Sequence, residues 1–207
     1  MTAPFFIYVH GFNSSPQSMK AQLFLQHMQQ LGRAGQVAIP DLSHWPREAM
    51  HSLQAEVEQH WDRPVILLGS SLGGFYSTWL TERYPHVRTV LINPAVNPHE
   101  LLPAYLGENR NLYSGEVYQL TEGHLLQLLQ LQTVQISDPT RYLLLTQTGD
   151  ETLDYREAVA MFADSPQFVQ PGGSHGFEQF EQLIPAILAF AEGRIELPPA
   201  TPLYHSS

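Results

Sequence analysis

The sequence predicts an α/β fold built on a mostly parallel six-stranded sheet with helices on both of its faces. Short apolar runs alternate along the chain with longer segments of helical periodicity. This alternation favours a parallel sheet, because strands covered by helices on both faces are buried and consist of nearly continuous apolar residues. The chain of 207 residues is the size of one domain, and its 43% of apolar residues can form a core without disulfides.

Six apolar runs are predicted to be strands, since each is rich in β-branched or aromatic residues and ends at Gly, Pro, Asn, Asp or a polar cluster. The runs are Phe5–Val9, Gln36–Ile39, Pro64–Leu68, Thr89–Ile92, Tyr142–Leu145 and Gln167–Val169. Helices are predicted between and after these strands, near residues 16–31, 47–60, 72–84, 154–163 and 176–192.

The ends of some helices have their own sequence signals. Ser15 and Pro16 predict an N-cap followed by a first-turn proline, and Gly32 follows the helix that begins there. Pro85 ends the helix that starts at Leu72, because the proline ring cannot continue the hydrogen-bond ladder.

Two regions interrupt the alternation. Residues 95–138 are far longer than an ordinary connection of about 4–6 residues, and their leucines predict an inserted, cap-like helical segment. A single crossover helix with a long surface loop is an equally open interpretation. We expect residues 1–192 to form a single domain that contains this segment, and residues 193–207 to be a flexible C-terminal tail.

The pentapeptide Gly69–Gly73 directly follows the third predicted strand and precedes a helix. Its sequence, GSSLG, matches the G-x-S-x-G nucleophile elbow in the strand–turn–helix context that this motif requires. The turn forces the serine into a strained backbone conformation, and a Cβ atom at either glycine would collide with neighbouring backbone. The spacing predicts that the nucleophile is Ser71 and not Ser70.

A serine hydroxyl is a weak nucleophile, so it needs a base and an acid that orients the base. In the fold with this elbow the chain order is Ser, then Asp or Glu, then His. Asp150 follows the fifth predicted strand and His175 follows the sixth, at the strand ends where open α/β sheets place their sites. We predict that Asp150 and His175 complete a catalytic triad; Asp154, at a helix start, is the rival to Asp150.

The loop after the first predicted strand is expected to contribute to an oxyanion hole. One backbone N–H of such a site comes from this loop and the second from the residue after the nucleophile, which assigns the amides of Phe12 and Leu72. Gly11 lets the backbone approach the site closely. We interpret His10 as a hydrogen-bonded structural residue that shapes this loop, and not as a second base.

Several segments together resemble the YqiA/YcfP-type small bacterial esterases, a compact family of the α/β-hydrolase superfamily. They are His10–Pro16, Gly69–Tyr76, Asn93–Val96, Tyr105–Asn109, Gln147–Glu151 and Gly172–His175. The resemblance extends to about residue 192 and implies an α/β-hydrolase fold and a cytoplasmic esterase acting on acyl esters, with acyl-CoA thioesters as further substrates. It implies the same triad of Ser71, Asp150 and His175. In that family the residue before the last histidine is usually Asn or Asp, whereas this chain has Ser174.

We therefore expect a serine esterase that hydrolyses carboxylic esters through an acyl-enzyme intermediate. The same triad serves thioesterases, peptidases and acyltransferases, so an acyl-CoA thioesterase in particular remains an alternative. Candidates for an acyl site are Phe12, the His44–Trp45 loop, Asn93–Pro94 and the leucines and tyrosines of residues 101–131, although each could equally be ordinary core. A non-catalytic binding protein on a hydrolase scaffold is the alternative of another class.

Composition limits the other functions. Ten basic and 20 acidic residues give a formal net charge of −10, which argues against nucleic acid and anionic membranes and weighs against strongly anionic substrates such as acyl-CoA. No dinucleotide-binding, P-loop or H-E-x-x-H motif is present, so we expect no cofactor and no metal. The chain has no cysteine, no apolar run near the roughly 18 residues of a membrane span and no signal-peptide pattern, so a cytoplasmic location is expected. The expected partner is a small acyl ester, and the sequence does not specify an oligomeric state.

Overall fold

A computed structural model describes residues 2–203 of the chain. In chain order its strands are β1 (Phe5–Val9), β2 (Val37–Ala38), β3 (Val65–Ser70), β4 (Val87–Ile92), β5 (Gly107–Arg110), β6 (Val117–Leu120), β7 (Tyr142–Gln147) and β8 (Gln167–Gln170). Its helices are α1 (Met19–Gln30), α2 (Pro46–Gln59), α3 (Leu72–Arg83), α4 (Pro98–Leu101), α5 (Glu122–Gln130), α6 (Tyr155–Met161) and α7 (Ile184–Ala191).

The main sheet has six strands in the order β2-β1-β3-β4-β7-β8, and every pair in it is parallel. This confirms the predicted parallel six-stranded sheet. The register pairs Val9 with Gly69 and Ser70 with Ile92, so the carboxyl ends of β1, β3 and β4 are level. The loops that follow these strands therefore meet at one edge of the sheet, where parallel α/β sheets bind their ligands.

Helices cover both faces of the sheet, as predicted. Successive residues of β1 alternate between two core clusters, because side chains of a strand point to opposite faces. One cluster joins the sheet to α1 and α7, and the other joins it to α2 and α3. A third cluster around Tyr142 and Phe162 packs α6 against β7, the strand next to the edge strand β8.

Two helices begin later than the sequence predicts. Helix α1 begins at Met19 with Ser18 as N-cap, because the Ser15 hydroxyl accepts the N–H of Gln17 at 3.0 Å in a preceding turn. Helix α7 begins at Ile184 and not near residue 176, since Phe177 and Gln179 have φ angles of 62° and 58°. This left-handed backbone is incompatible with a continuous right-handed helix.

The segment of residues 95–138 contains the helices α4 and α5 and also an antiparallel hairpin, β5–β6, that the sequence pattern did not indicate. The hairpin is bound to the loop after β1. The Tyr118 hydroxyl donates to Asn13 Oδ1 at 2.8 Å, and the Asn111 side chain donates to the Ser14 carbonyl at 2.9 Å. These contacts hold the segment over the carboxyl end of the sheet.

The chain after Gly193 has neither helix nor strand up to residue 203, but it lies against the sheet. Leu197 packs against the first core cluster, and the Leu203 N–H donates to the Pro171 carbonyl at 2.8 Å. The last part of the predicted flexible tail, residues 204–207, lies outside the described residues. None of the helices between residues 2 and 203 has the length and apolar character needed to cross a bilayer.

Candidate active site

Ser71 occupies a sharp turn between β3 and α3. Its φ and ψ angles are 54° and −123°, a conformation that residues other than glycine rarely adopt. Backbone hydrogen bonds hold it on both sides: its N–H donates to the Ile92 carbonyl at 3.1 Å, and its carbonyl accepts the Ala95 N–H at 3.0 Å. The turn places the Ser71 side chain at the edge of the sheet where the carboxyl ends of β1, β3 and β4 lie level.

The two glycines of the elbow are required by close approaches. A Cβ atom on Gly69 would lie 2.6 Å from Ser77 Oγ and 2.7 Å from Gly74 Cα. A Cβ atom on Gly73 would lie 2.6 Å from the carbonyl carbon of Val9, which belongs to the neighbouring strand. These distances are shorter than van der Waals contact, so the spacing of the motif follows from the packing of α3 against the sheet.

Ser71, His175 and Asp150 form one hydrogen-bonded chain. His175 Nε2 lies 3.1 Å from Ser71 Oγ, and His175 Nδ1 lies 2.9 Å and 3.0 Å from the two carboxylate oxygens of Asp150. A carboxylate only accepts, so Nδ1 carries the proton and Nε2 is free to accept the serine proton. The structure brings the three residues together in the arrangement that the sequence predicts.

Asp150 is held more firmly than the sequence could indicate. Its side chain is 1% exposed, and its Oδ1 atom also accepts the N–H groups of Thr152 and Leu153, both at 2.9 Å. Its rival Asp154 instead caps α6 by accepting the N–H of Arg156 at 3.0 Å. Asp150, and not Asp154, is therefore the carboxylate that orients the imidazole.

Asn93 fixes the loop that carries the histidine. It directly follows β4, is 2% exposed and has a φ angle of 41°. Its amide donates to the carbonyls of Ser174 and His175 at 2.9 Å and 3.2 Å, and its Oδ1 accepts the Gln147 N–H at 2.9 Å. The sequence suggested a place for Asn93 in an acyl site, whereas the structure shows that it links the ends of three strands.

Gln147 makes four hydrogen bonds with its fully buried amide. It donates to Gln170 Oε1 and to the Glu178 carbonyl, each at 2.8 Å. It accepts the N–H of Ser174 at 3.1 Å and the N–H of Glu178 at 2.9 Å. The sequence indicated this role only in that Gln147 is a polar residue at the end of a buried strand. It could not indicate the partners of Gln147, because they lie 23 to 31 residues away.

Glu151 contacts the backbone of the histidine. Its Oε2 atom accepts the His175 N–H at 3.0 Å. This hydrogen bond, together with one from its own N–H, lowers the pKa of the Glu151 carboxyl below its ordinary value. Glu151 therefore adds an ionised anchor on the solvent side of the loop.

The predicted oxyanion-hole residues lie on either side of Ser71. Phe12 is in the loop after β1, and Leu72 is the first residue of α3, at the positive end of that helix. Within residues 2–203, no backbone hydrogen bond has the N–H of Phe12 or Leu72 as its donor. Both N–H groups are therefore available to a ligand. Gly11, the neighbour of Phe12, approaches Ser71 so closely that a Cβ atom on it would lie 2.9 Å from Ser71 Cβ.

His10 is hydrogen-bonded on both ring nitrogens. Its Nδ1 lies 3.1 Å from the Gly11 carbonyl, and its Nε2 accepts the N–H of Leu42 at 3.2 Å. Burial lowers the pKa of this imidazole, although the Gly11 carbonyl and Asp41 oppose that effect. The neutral, paired ring agrees with the structural role predicted for it.

An apolar cavity of about 230 Å³ adjoins Ser71 and His175. Its lining includes the predicted candidates Phe12, Leu101, Leu102, Tyr105 and Leu112, together with Leu153, which the sequence did not indicate.

His44 and Trp45 are not part of this lining. The His44 ring stacks on Tyr118, and the Trp45 ring stacks on His124 with centroids 3.6 Å apart. These aromatic contacts, with the hydrogen bond of 3.0 Å between His44 Nδ1 and His124 Nε2, attach α5 to the start of α2. They are packing contacts of the inserted segment.

The parallel sheet and the sharp turn between β3 and α3 give the protein an α/β-hydrolase fold. Among solved structures it is similar to a presumed hydrolase from Agrobacterium vitis S4, with a TM-score of 0.74, 19% identity and coverage of 91% of this chain and 88% of that one. It is also similar to mouse alpha/beta hydrolase domain-containing protein 10, with a TM-score of 0.68, 18% identity and coverage of 93% and 89%. Est1E from Butyrivibrio proteoclasticus, solved with bound ferulic acid, gives a TM-score of 0.67, 16% identity and coverage of 93% and 90%.

A family model described as "Uncharacterised protein family (UPF0227)" matches residues 5–192, nearly the whole described chain. The chain belongs to this family, which confirms the YqiA/YcfP-type resemblance of its motifs. Between residues 2 and 203, no group of three or more His, Cys, Asp or Glu side chains is arranged to hold a metal ion.

Proposed function

We propose that the protein is a serine esterase that hydrolyses carboxylic esters through an acyl-enzyme intermediate. The observation that carries the proposal is the continuous hydrogen-bonded chain from Ser71 through His175 to the buried carboxylate of Asp150. This is the constellation that activates a serine hydroxyl in acyl transfer. A scaffold that only binds a ligand has no need of an aligned nucleophile, base and acid.

In the first half of the reaction, His175 Nε2 takes the Ser71 proton as Oγ attacks the ester carbonyl carbon. The carbonyl electron pair moves to oxygen, where the free N–H groups of Phe12 and Leu72 stabilise the negative charge. The tetrahedral intermediate collapses, the bond to the leaving oxygen breaks, and the proton on Nε2 passes to the departing alcohol.

In the second half, water replaces the alcohol. His175 Nε2 takes a proton from the water as its oxygen attacks the acyl carbon. The second tetrahedral intermediate releases Ser71 Oγ, which recovers the proton from Nε2 as the carboxylic acid leaves. Asp150 accepts the Nδ1–H hydrogen bond throughout and stabilises the imidazolium in both halves.

The choice of esters as substrates has two supports. The cavity beside Ser71 is lined by leucines and aromatic residues, as suits the apolar acyl part of an ester. Several similar structures are named as esterases or lipolytic enzymes, among them Est1E and the esterase domain from Rhodothermus marinus.

The test combines a substrate panel with labelling of the nucleophile. p-Nitrophenyl esters of increasing acyl length and the matching acyl-CoA thioesters are assayed with the wild type and with Ser71→Ala. We expect a loss in kcat of about 10⁴–10⁶ for Ser71→Ala, and labelling of the wild type alone by a fluorophosphonate probe.

Ser165→Ala is the matched control. Ser165 is a buried serine that lies just before β8, at the opposite end of the sheet from the site. If Ser71→Ala kept more than a tenth of the activity, or if the wild type were not labelled, the proposal would fail. Faster cleavage of thioesters than of oxygen esters would change the substrate class and keep the triad.

A further inference from the structure

A second cavity, of about 320 Å³, also adjoins Ser71 and His175 and is not used in the proposed mechanism. Part of its wall comes from Tyr8 on β1 and from the beginning of α1, where Ser18, Met19 and Lys20 lie. No aspartate or glutamate of the described residues 2–203 lines this cavity, although the chain has 20 acidic and only 10 basic residues. The cavity therefore differs in charge from the protein as a whole.

Lys20 is the only lysine in the chain and has no acidic partner among residues 2–203. Its half-buried ammonium donates to the Gly176 carbonyl at 2.8 Å, and an ammonium group has three N–H donors. Burial lowers the pKa of Lys20 to about 8, while Asp150 opposes that effect. The lysine remains largely charged at neutral pH, with donors to spare and no bound counter-charge.

The position of Lys20 in its helix is also unfavourable without a ligand. It lies in the first turn of α1, where the helix dipole is positive and where this helix has no acidic residue. Among residues 2–203, the N-cap Ser18 makes no side-chain cap hydrogen bond and its hydroxyl finds no partner. A cation and a free hydroxyl at a helix N-terminus are an arrangement suited to an anion.

Tyr8 provides an independent observation. The residue is 1% exposed, yet within residues 2–203 its hydroxyl makes no hydrogen bond of full geometry, although the Ser70 side chain, which also lines the cavity, lies near enough to lower its pKa. Buried polar groups are almost always paired, because an unpaired hydroxyl in an apolar environment costs roughly 1–3 kcal/mol. Burial raises the pKa of Tyr8, so the phenol stays protonated and can donate.

We propose that this cavity binds a single anionic group, a carboxylate or a phosphate, on the ester substrate, with Lys20, Ser18 and Tyr8 as its donors. The inference rests on the proposed esterase function and narrows it. The preferred substrate is an ester with an apolar part for the cavity beside Leu153 and an anionic group for the cavity beside Lys20. The net charge of −10 repels polyanions that approach from solution, but it does not prevent a single anion from pairing with Lys20 inside this cavity.

The experiment compares matched anionic and neutral esters. A carboxylate and a phosphate are each placed in turn on the acyl half and on the alcohol half of a short-chain ester, and each ester has a neutral counterpart in which a carboxamide replaces the carboxylate or a dimethyl phosphate replaces the phosphate. The ratio of kcat/KM between the two members of a pair measures recognition of the anion, because both members react at the same triad. The four arms distinguish a carboxylate from a phosphate and the acyl half from the alcohol half.

The wild type is expected to prefer the anionic ester by at least about tenfold in one arm, mainly through KM, as a charge-assisted hydrogen bond implies. Lys20→Met should lower this ratio about tenfold to a hundredfold, Tyr8→Phe should lower it by a smaller factor, and Lys20→Arg should retain most of it. Arg47→Met is the control for loss of a positive charge, since Arg47 is exposed on α2 and lines neither cavity.

Three results would overturn the proposal. Equal kcat/KM for anionic and neutral esters in every arm would refute anion recognition while leaving the esterase function intact. If Lys20→Met lowered kcat/KM equally for the anionic and the neutral ester of a pair, Lys20 would only support the His175 loop through the Gly176 carbonyl. If the wild type hydrolysed no ester and took no fluorophosphonate label, the proposed function would fail, and this inference with it.

Discussion

Replacing Gln147 with leucine should lower both stability and catalysis, because this amide supports the loop that carries the histidine. The substitution removes four hydrogen bonds, of 2.8, 2.8, 2.9 and 3.1 Å, from a side chain with no exposed surface. At about 1 kcal/mol for each net hydrogen bond the loss is about 4 kcal/mol. The additional apolar burial of leucine offsets about 1 kcal/mol of this loss.

The expected net effect is a decrease of about 3 kcal/mol in the free energy of unfolding. For a domain of this size that corresponds to a melting temperature about 6–12 °C lower. Because the Ser174 N–H is one of the groups that lose their partner, the neighbouring His175 should also become less well placed. We expect kcat to fall at least tenfold in the folded variant, with a smaller change in KM.

Thermal unfolding followed by circular dichroism, and steady-state kinetics on the best p-nitrophenyl ester, measure the two effects. Gln30→Leu is the matched control, since Gln30 is exposed near the end of α1. A Gln147→Leu protein that melted within 2 °C of the wild type, by the same scaling from free energy to temperature, and kept its kcat would refute this account of the loop.

Two further predictions concern the triad and the anion cavity. Asp150→Asn should lower kcat by about 10³–10⁴ with little change in KM, because an amide no longer selects the Nδ1–H form of His175. The control Asp154→Asn should leave kcat within about threefold of the wild type. Similar losses of kcat in both variants would contradict the assignment of Asp150 as the carboxylate that orients His175. The preference for anionic over neutral esters should be full below about pH 7 and decline as the pH rises through about 8, because the Lys20 ammonium loses its proton with a pKa of about 8. Asp150, His10, His175, Tyr8 and Tyr113 are the other titratable groups around it, and taking the ratio of the two esters cancels the titration of the shared triad. A preference that stayed constant from pH 6 to 10 would exclude Lys20 as its source.

Much of the fold was predictable because its signals are local. The four central strands are buried almost throughout and have continuous apolar runs, and shorter apolar runs located the edge strands β2 and β8. The β5–β6 hairpin lacked such a signal, since its short strands alternate between exposed and half-buried or buried positions. Helix starts were less certain, because Ser15 could cap either a helix or a turn and only its contacts decide.

The candidate site was predictable to the extent that chain order and strand ends define it. Ser71 is identified by its two glycines, and Asp150 and His175 by their positions after successive strands. The structure distinguishes Asp150 from Asp154, because both residues follow the same strand and only Asp150 reaches the imidazole of His175.

The sequence by itself determined the class of fold, the order along the chain of the proposed nucleophile, acid and base, and the family, because each depends on residues that are close together or on their order along the chain. Only the tertiary structure decided which side chains meet across the strand ends. The Asn93 and Gln147 amides bind a loop that begins tens of residues later, and Lys20 reaches a carbonyl 156 residues away. Such contacts follow from the order of strands in the sheet and from packing, and local periodicity contains no information about either. The overall negative charge belongs to the sequence, whereas a cavity that presents one lysine and the buried hydroxyls of Tyr8 and Ser18 beside Ser71 exists only in the folded chain.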